Sequence, residues 1–232
     1  MTCTDLLKEI PTNCRPIDEF LKGGFPVETV VLVYGEAETG KTTLAMQCAT
    51  SCGKQGYKTL FVDSDRTFSA QRLSQIVPEQ PKEVPELIIL ARPNDFREQT
   101  MVVDQLTDYV NQNFKLVVFD TITSLYRLRI AESPSKTFEL NRELNRQLAS
   151  LAQAARTQRI VVLLTSQVHS VLDEVPVSIA PVATRVLKFW ADTVIAMKLT
   201  ENPQAIEATV EKNPAKLPPM TCRLRIEERG IH

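Results

Sequence analysis

A short segment that contains two glycines and a lysine, residues 35–42, constrains the fold of this chain more than any other feature. It reads Gly-Glu-Ala-Glu-Thr-Gly-Lys-Thr, follows the apolar run of residues 30–34, and precedes a helical pattern over residues 44–51. A glycine, four variable residues and Gly-Lys-Thr, placed between a buried strand and a helix, form the pattern of a phosphate-binding loop. A chance glycine-rich turn is the alternative, and the flanking strand and helix count against it. The segment therefore predicts an α/β fold built around this loop.

The residue types of the loop predict a site for ATP and Mg²⁺. Two glycines let the backbone wrap tightly, so that successive N–H groups point at phosphate oxygens, and the following helix adds the positive end of its dipole. Lys41 is expected to reach the β- and γ-phosphates, and the Thr42 hydroxyl to complete the Mg²⁺ shell. The predicted cofactor-binding residues are Gly35, Glu36, Ala37, Glu38, Thr39, Gly40, Lys41, Thr42 and Thr43.

A second apolar run ends in a carboxylate. Residues 116–120 read Leu-Val-Val-Phe-Asp, which is typical of a buried strand with an acidic residue at its carboxyl end. Many such residues only cap a helix. Together with the phosphate-binding loop, however, Asp120 becomes a candidate to hold Mg²⁺ with Thr42.

The hydrophobic pattern predicts a mostly parallel, twisted sheet flanked by helices. Valine-, isoleucine- and leucine-rich runs without strict alternation suit strands that are buried on both faces. These runs are residues 30–34, 59–63, 87–90, 116–120, 160–165 and 193–199. Leucines at positions 140, 144, 148 and 151 indicate an amphipathic helix. Residues 208–212 and 221–227 alternate with period two, which predicts an antiparallel pair of C-terminal strands at the sheet edge.

Composition limits the class of protein. The chain has 232 residues, is 43% hydrophobic, and carries a net charge of −1, so any contact with nucleic acid requires a local basic patch. No apolar run approaches the roughly 18 residues of a membrane span, and the N-terminus lacks a signal-peptide pattern, so we expect a cytoplasmic protein with no membrane partner. Cys48 and Cys52 share one helix face, where buried reduced thiols are favoured over a disulfide or a metal site.

Several further segments carry a family resemblance, namely residues 10–18 (Ile-Pro-Thr-Asn-Cys-Arg-Pro-Ile-Asp), 21–25, 61–68 (Phe-Val-Asp-Ser-Asp-Arg-Thr-Phe), 92–99, 120–127 (Asp-Thr-Ile-Thr-Ser-Leu-Tyr-Arg) and 164–168. In their order and spacing these segments resemble the core of RecA-superfamily recombinases, in particular the archaeal RadA/RadB branch, and most of all its RadB-like accessory paralogues. The resemblance implies a RecA-like P-loop NTPase core. It also implies an ATP- and DNA-binding paralogue with weak ATPase activity, which assists a main RadA-type recombinase in homologous recombination and DNA repair.

The resemblance also implies catalytic positions, namely Lys41, Asp65 and Gln167. The family has a glutamate where this chain has Asp65, and a glycine where it has Arg66. An aspartate is shorter by one methylene, about 1.5 Å, and misplacement on that scale can cost on the order of a hundredfold in rate, so we expect slow hydrolysis. Gln167 is implied to link the nucleotide to a DNA-binding loop. The alternatives are that Asp65 caps the next helix and that Gln167 is a polar strand end without a role.

Two segments match the single-stranded-DNA-binding loops of the family, residues 127–137 and 169–183. Residues 127–159 contain seven Lys or Arg against three acids, a local excess of the kind that phosphate neutralisation needs. We therefore predict DNA contacts through Arg127, Arg129 and Lys136. The alternative for the other basic residues is that they form the solvated face of the leucine-rich helix. The second segment contains acidic side chains and no aromatic platform, which makes it the weaker candidate.

The resemblance begins about ten residues from Met1. We therefore expect a single domain over residues 1–232, without the N-terminal helix-hairpin-helix domain and polymerisation motif of strand-exchange enzymes, and leave homo- or hetero-oligomers open. Two other functions remain: a KaiC-like signalling ATPase with no use for DNA, and a nucleotide-gated scaffold without significant hydrolysis.

Overall fold

The computed structural model describes residues 7–76, 83–168, 179–202 and 204–232, with side chains in the third stretch described from Ala183 onward. The strands of these residues are β1 Glu9–Ile10, β2 Phe25–Pro26, β3 Thr29–Gly35, β4 Lys58–Asp63, β5 Ile88–Ala91, β6 Phe114–Asp120, β7 Val161–Gln167, β8 Thr193–Leu199, β9 Ala205–Lys212, β10 Met220–Glu227 and β11 Gly230–Ile231. The α-helices are α1 Arg15–Leu21, α2 Lys41–Lys54, α3 Ala70–Ile76, α4 Phe96–Asp104, α5 Leu106–Tyr109, α6 Ser124–Glu132, α7 Thr137–Thr157 and α8 Ile179–Trp190. Short 3₁₀ turns cover Pro85–Leu87 and Pro134–Lys136.

One twisted sheet organises the described residues. Its strand order is β11-β10-β9-β8-β3-β7-β6-β4-β5, and the six strands from β8 to β5 in this order run parallel. Strands β9, β10 and β11 add to β8 in antiparallel fashion. The predicted α/β class, with a mostly parallel sheet and antiparallel C-terminal strands, is confirmed.

The central strand β3 shows why its sequence does not alternate between apolar and polar residues. Val30 and Leu32 face a core that also contains residues of α4, α6, α7 and α8. Val31 and Val33 face a second core, to which α1, α2, α3 and the C-terminal strands contribute. Because successive side chains of a strand point to opposite faces, a strand covered on both faces needs apolar residues at every position.

Most predicted boundaries lie within a few residues of the observed ones. The run of residues 87–90 is displaced, because Pro85 opens a 3₁₀ turn that ends at Leu87 and the strand begins at Ile88. The helix predicted over residues 44–51 extends from Lys41 to Lys54. No described helix combines the length and hydrophobicity of a membrane span.

The cysteines that the structure describes are free thiols, and those of α2 lie in the second core. Burial raises the pKa of the Cys52 thiol to about 11 and that of Cys14 to about 12. It also raises the pKa of Cys48 well above its ordinary value. These thiols are therefore protonated at neutral pH and pack as small apolar side chains.

Candidate nucleotide site

Both glycines of the loop are required by the packing around them. A Cβ atom on Gly35 would lie 1.9 Å from the carbonyl oxygen of Met197 on the neighbouring strand β8. Gly40 has a φ of 83°, and a Cβ atom there would lie 2.7 Å from Cδ1 of Ile231. The loop thus forms a narrow backbone cradle that a side chain at either position would disturb.

Helix α2 begins at Lys41, directly after Gly40, which has no side chain that could cap it. The first turn of a helix leaves N–H groups without partners inside the helix, and these groups with the helix dipole attract an anion. The loop is braced from both sides. The buried Thr39 hydroxyl donates to Glu36 O at 2.9 Å, and the Glu36 carboxylate accepts from Leu199 N at 3.2 Å.

The Lys41 side chain lies folded across the loop. It is buried, and its Nζ donates to Glu36 O at 2.5 Å and to Thr39 Oγ1 at 3.3 Å. Burial lowers the pKa of Lys41, while the carboxylates of Asp120, Asp65 and Glu36 act in the opposite direction. Among the described residues, a carbonyl and a hydroxyl hydrogen-bond this buried ammonium, and such a cation is suited to an anion placed over the loop.

Asp120 ends strand β6 beside the loop, as the motif spacing predicts. It is 1% exposed, and its Oδ2 accepts from Thr42 Oγ1 at 2.7 Å and from Thr67 Oγ1 at 3.3 Å. Its Oδ1 accepts from the Thr165 hydroxyl. Burial raises the pKa of Asp120, the hydroxyl donors oppose this shift, and the nearby carboxylates add to it. The carboxylate of Asp120 and the hydroxyl of Thr42 offer hard oxygen ligands, and the negative charge of the buried carboxylate has no basic side chain paired with it in the described structure. Such a group of oxygens fits Mg²⁺.

Thr67 and Thr165 were not predicted from the sequence. Thr165 contacts Asp120 because β6 and β7 are neighbours, and Thr67 does so from the loop that follows β4. Threonine is a common residue in strands, and its presence alone marks no site, so only the strand order reveals these contacts.

Asp65 lies beyond the end of its strand. Strand β4 ends at Asp63, which is fully buried and accepts from Thr67 N at 2.9 Å and Phe68 N at 3.2 Å. Arg92 Nε donates to the same carboxylate at 3.1 Å. Asp63 therefore fixes the shape of the loop that follows β4. Asp65 lies near the start of this loop, and its side chain is exposed.

The contacts around this loop do not support a capping role for Asp65. The hydroxyl of Ser69, at the start of α3, accepts from Arg72 N at 3.3 Å, so Ser69 occupies the capping position. Arg66 has a φ of 57°, a left-handed conformation in which glycine carries no steric penalty. Its side chain donates to Asn94 Oδ1 at 2.6 Å.

One cavity of about 440 Å³ brings together three residues for which the sequence predicts separate roles, Asp65, Gln167 and Arg127. The Oγ atom of Ser124, another lining residue, is buried and has no hydrogen-bond partner within the described structure. Burial lowers the pKa of Arg127, and the charge of Asp65 opposes this shift. The cavity is lined by hydroxyl, amide and oppositely charged side chains as well as by Leu128, and it opens beside the threonines that follow Asp120.

The excess of basic residues over acidic residues in residues 127–159 is partly neutralised in the folded protein, because several of these arginines form ion pairs. Arg129 pairs with Glu132 at 3.0 Å, and other arginines pair with acids far away in the chain. The long-range ion pairs are Arg146–Asp104 at 2.7 Å, Arg156–Asp192 at 3.6 Å and Arg159–Glu28 at 2.8 Å. Lys136 is exposed, and no acid of the described chain lies within ion-pair distance of it. Of the second predicted DNA segment, residues 169–178 lie outside the described residues.

Comparisons with known proteins agree with this architecture. The sequence profile of the Rad51 family matches residues 4–232. A DNA repair and recombination protein RadB of Methanococcoides burtonii is 31% identical over 224 residues, which cover 97% of either chain. RadB of Thermococcus kodakarensis is 34% identical over 225 residues, covering 96% of this chain and 98% of that protein. A crystal structure of the RadB recombinase superposes with a TM-score of 0.77 at 31% identity, covering 96% of this chain and 98% of the other. The chain therefore belongs to the Rad51 family of RecA-type proteins, and within it to the RadB proteins.

Proposed function

We propose that this RadB-type protein binds ATP and Mg²⁺ at residues 35–43, hydrolyses ATP slowly, and assists a main RadA-type recombinase on single-stranded DNA. The observation that carries the proposal is the hydrogen bond of 2.7 Å between the Thr42 hydroxyl and the Asp120 carboxylate, next to a glycine cradle that ends at the start of a helix. A phosphate-binding loop and an Mg²⁺-holding carboxylate are the two parts that P-loop NTPases require.

The roles of the residues follow from their surroundings. Bound ATP and Mg²⁺ would supply the transferable phosphoryl group and neutralise its charge. Lys41 would exchange its contact with Glu36 O for phosphate oxygens, and Thr42 and Asp120 would hold the metal. Asp65 orients a water molecule and accepts its proton, while Gln167 contacts the same cavity.

Slow turnover is expected for two reasons. Asp65 is one methylene shorter than the glutamate of the family. It is also exposed, so its carboxylate is not held in one position. The same two features favour the second candidate function, a nucleotide-gated scaffold without significant hydrolysis.

DNA contact is proposed for Arg127, Arg129 and Lys136. Lys136 is the best placed of them, because it is exposed on the turn between α6 and α7. Arg127 lines the cavity of Asp65, so a phosphate that attracts Arg127 would change the charge facing Asp65. DNA would thereby alter the hydrolysis rate.

Two measurements test this function. Phosphate release with and without single-stranded DNA separates a DNA-responsive ATPase from a scaffold, for which the rate stays at background in both cases. Binding to a labelled single strand is expected at about 50 mM salt and should weaken as salt rises. Lack of binding at low salt would remove DNA from the proposal.

We further propose that the chain forms one RecA-like domain, acts in the cytoplasm, and works as a homo- or hetero-oligomer.

A further inference from the structure

A buried glutamine joins helix α2 to the last strand. Gln47 is 1% exposed, its Oε1 accepts from Ile231 N at 2.9 Å, and its Nε2 donates to Ile231 O at 3.1 Å. The side-chain amide thus pairs with β11 as a neighbouring strand would. A Cβ atom on Gly230 would lie 2.8 Å from Cδ of Gln47, so this close approach requires glycine.

The side chain of Ile231 forms the floor under the second half of the phosphate-binding loop. Ile231 is fully buried, and its Cδ1 lies 2.7 Å from the point where a Cβ of Gly40 would stand. Cδ1 of Ile226, on β10, lies 3.5 Å from the same point. The C-terminal strands therefore fill the space directly beneath Gly40.

The hairpin formed by β10 and β11 also holds helix α3. The Arg72 guanidinium donates to Glu227 O at 3.0 Å and to Glu228 O at 2.9 Å. Helix α3 follows the loop that carries Asp65 and Thr67, so the β10–β11 hairpin contacts the elements on both sides of the candidate site.

This bridge matters because the sheet does not join the two elements directly. Strands β7 and β6 separate β3, which leads into the phosphate-binding loop, from β4, which leads into the Asp65 loop. We infer that the β10–β11 hairpin is a positioning element for the nucleotide site. Gln47 and Ile231 hold the loop at Gly40, and Arg72 holds the segment that carries Asp65. The inference rests on the proposed nucleotide binding and adds residues that touch neither nucleotide nor metal.

Truncation of Ile231 in the full chain provides the main test. Ile231→Ala is expected to weaken the binding of a slowly hydrolysed ATP analogue with Mg²⁺ about tenfold, measured by titration calorimetry. Leu224→Ala is the matched control, because Leu224 is an equally buried residue of β10 that faces the same core. It should lower the melting temperature comparably and leave the affinity unchanged. Ile231→Leu, which keeps the volume, should bind like the wild type.

Hydrogen exchange of the nucleotide-free protein supplies a second readout. Ile231→Ala should accelerate exchange in residues 36–43, and Arg72→Gln should do so in residues 64–69, while Leu224→Ala changes neither segment selectively. If Leu224→Ala weakens affinity and accelerates loop exchange as much as Ile231→Ala does, the positioning role is wrong. If the wild type binds no nucleotide, the proposed function fails, and the exchange pattern alone decides whether the β10–β11 hairpin positions the loop.

Discussion

The contact between Gly40 and Ile231 permits a quantitative test of how the phosphate-binding loop is built. An alanine at position 40 would need a left-handed backbone, because φ is 83°, and its methyl group would stand 2.7 Å from Cδ1 of Ile231. Ile231→Val removes the Cδ1 atom alone. After that change the nearest atoms to the new methyl are Cγ1 of residue 231 at 3.4 Å and Cδ1 of Ile226 at 3.5 Å, which are ordinary contacts.

The magnitudes follow from these distances. The left-handed conformation costs an alanine about 1–2 kcal/mol, and the overpacked methyl adds about 1–3 kcal/mol. Ile231→Val alone should cost about 0.5–1.5 kcal/mol. In the double variant Gly40→Ala/Ile231→Val the overpacking disappears. Its loss of unfolding free energy should therefore be about 1–3 kcal/mol smaller than the sum of the single losses.

Urea unfolding of the nucleotide-free protein, followed by circular dichroism, measures all four members of this cycle. Gly56→Ala is the control for the backbone cost, because Gly56 has a φ of 81° and, apart from its chain neighbours, none of the described residues has an atom within 4 Å of its Cβ position. The losses of unfolding free energy in Gly56→Ala and in Ile231→Val should simply add in the double variant. If the losses of Gly40→Ala and Ile231→Val instead add up to the loss of the double variant within about 0.5 kcal/mol, the contact between the loop and the last strand is refuted.

Three further predictions concern the site and its surface. Asp65→Glu should raise phosphate release by about tenfold or more, because it restores the reach of the carboxylate; an unchanged or lower rate would contradict the assignment of Asp65. Burial raises the pKa of Asp120 in the folded protein above its ordinary value of 3.8, so wild-type stability should fall as pH rises through that window and then level off. Asp120→Asn should lack this slope and be the more stable protein at pH 7 without Mg²⁺, as thermal unfolding across pH will reveal; a slope that Asp120→Asn retains would assign it to another group. Lys136→Gln should weaken single-stranded DNA binding and lower the slope of log affinity against log salt concentration by about one. Arg146→Gln, which breaks ion pairs with Asp104 and Glu143, should lower stability and leave DNA binding intact. Equal effects of the two variants on DNA binding would contradict the assignment of Lys136 as a DNA contact.

Local sequence predicted the parts of this fold that depend on local physics. The phosphate-binding loop, the strand before it and the helix after it are specified by residues 30–54 alone, because the glycines and the apolar run act within a few residues of each other. The C-terminal alternation likewise predicted β9 and β10. Asp120 lies beside Thr42 because buried parallel strands align their carboxyl ends at one edge of the sheet.

Contacts that depend on the strand order could not be predicted in this way. Thr67 and Thr165 reach Asp120 only because β4, β6 and β7 are consecutive in the sheet. Strand β11 has two residues, too few for a periodic pattern, and the contact of Ile231 with Gly40 spans most of the chain. The sequence also overestimated the number of unpaired positive charges in residues 127–159. The reason is that some partners are distant in the chain, as Glu28 is for Arg159.

The most direct test of nucleotide binding is a calorimetric titration of the full chain with a slowly hydrolysed ATP analogue. The wild type should bind one analogue per chain when Mg²⁺ is present and bind it much more weakly when Mg²⁺ is left out. Lys41→Ala should lose about a hundredfold or more in affinity, because it removes the buried ammonium next to the loop. Lys54→Ala, at the other end of the same helix, serves as the control and should bind like the wild type. Equal affinity in Lys41→Ala and wild type would contradict the assignment of residues 35–43 as the nucleotide site.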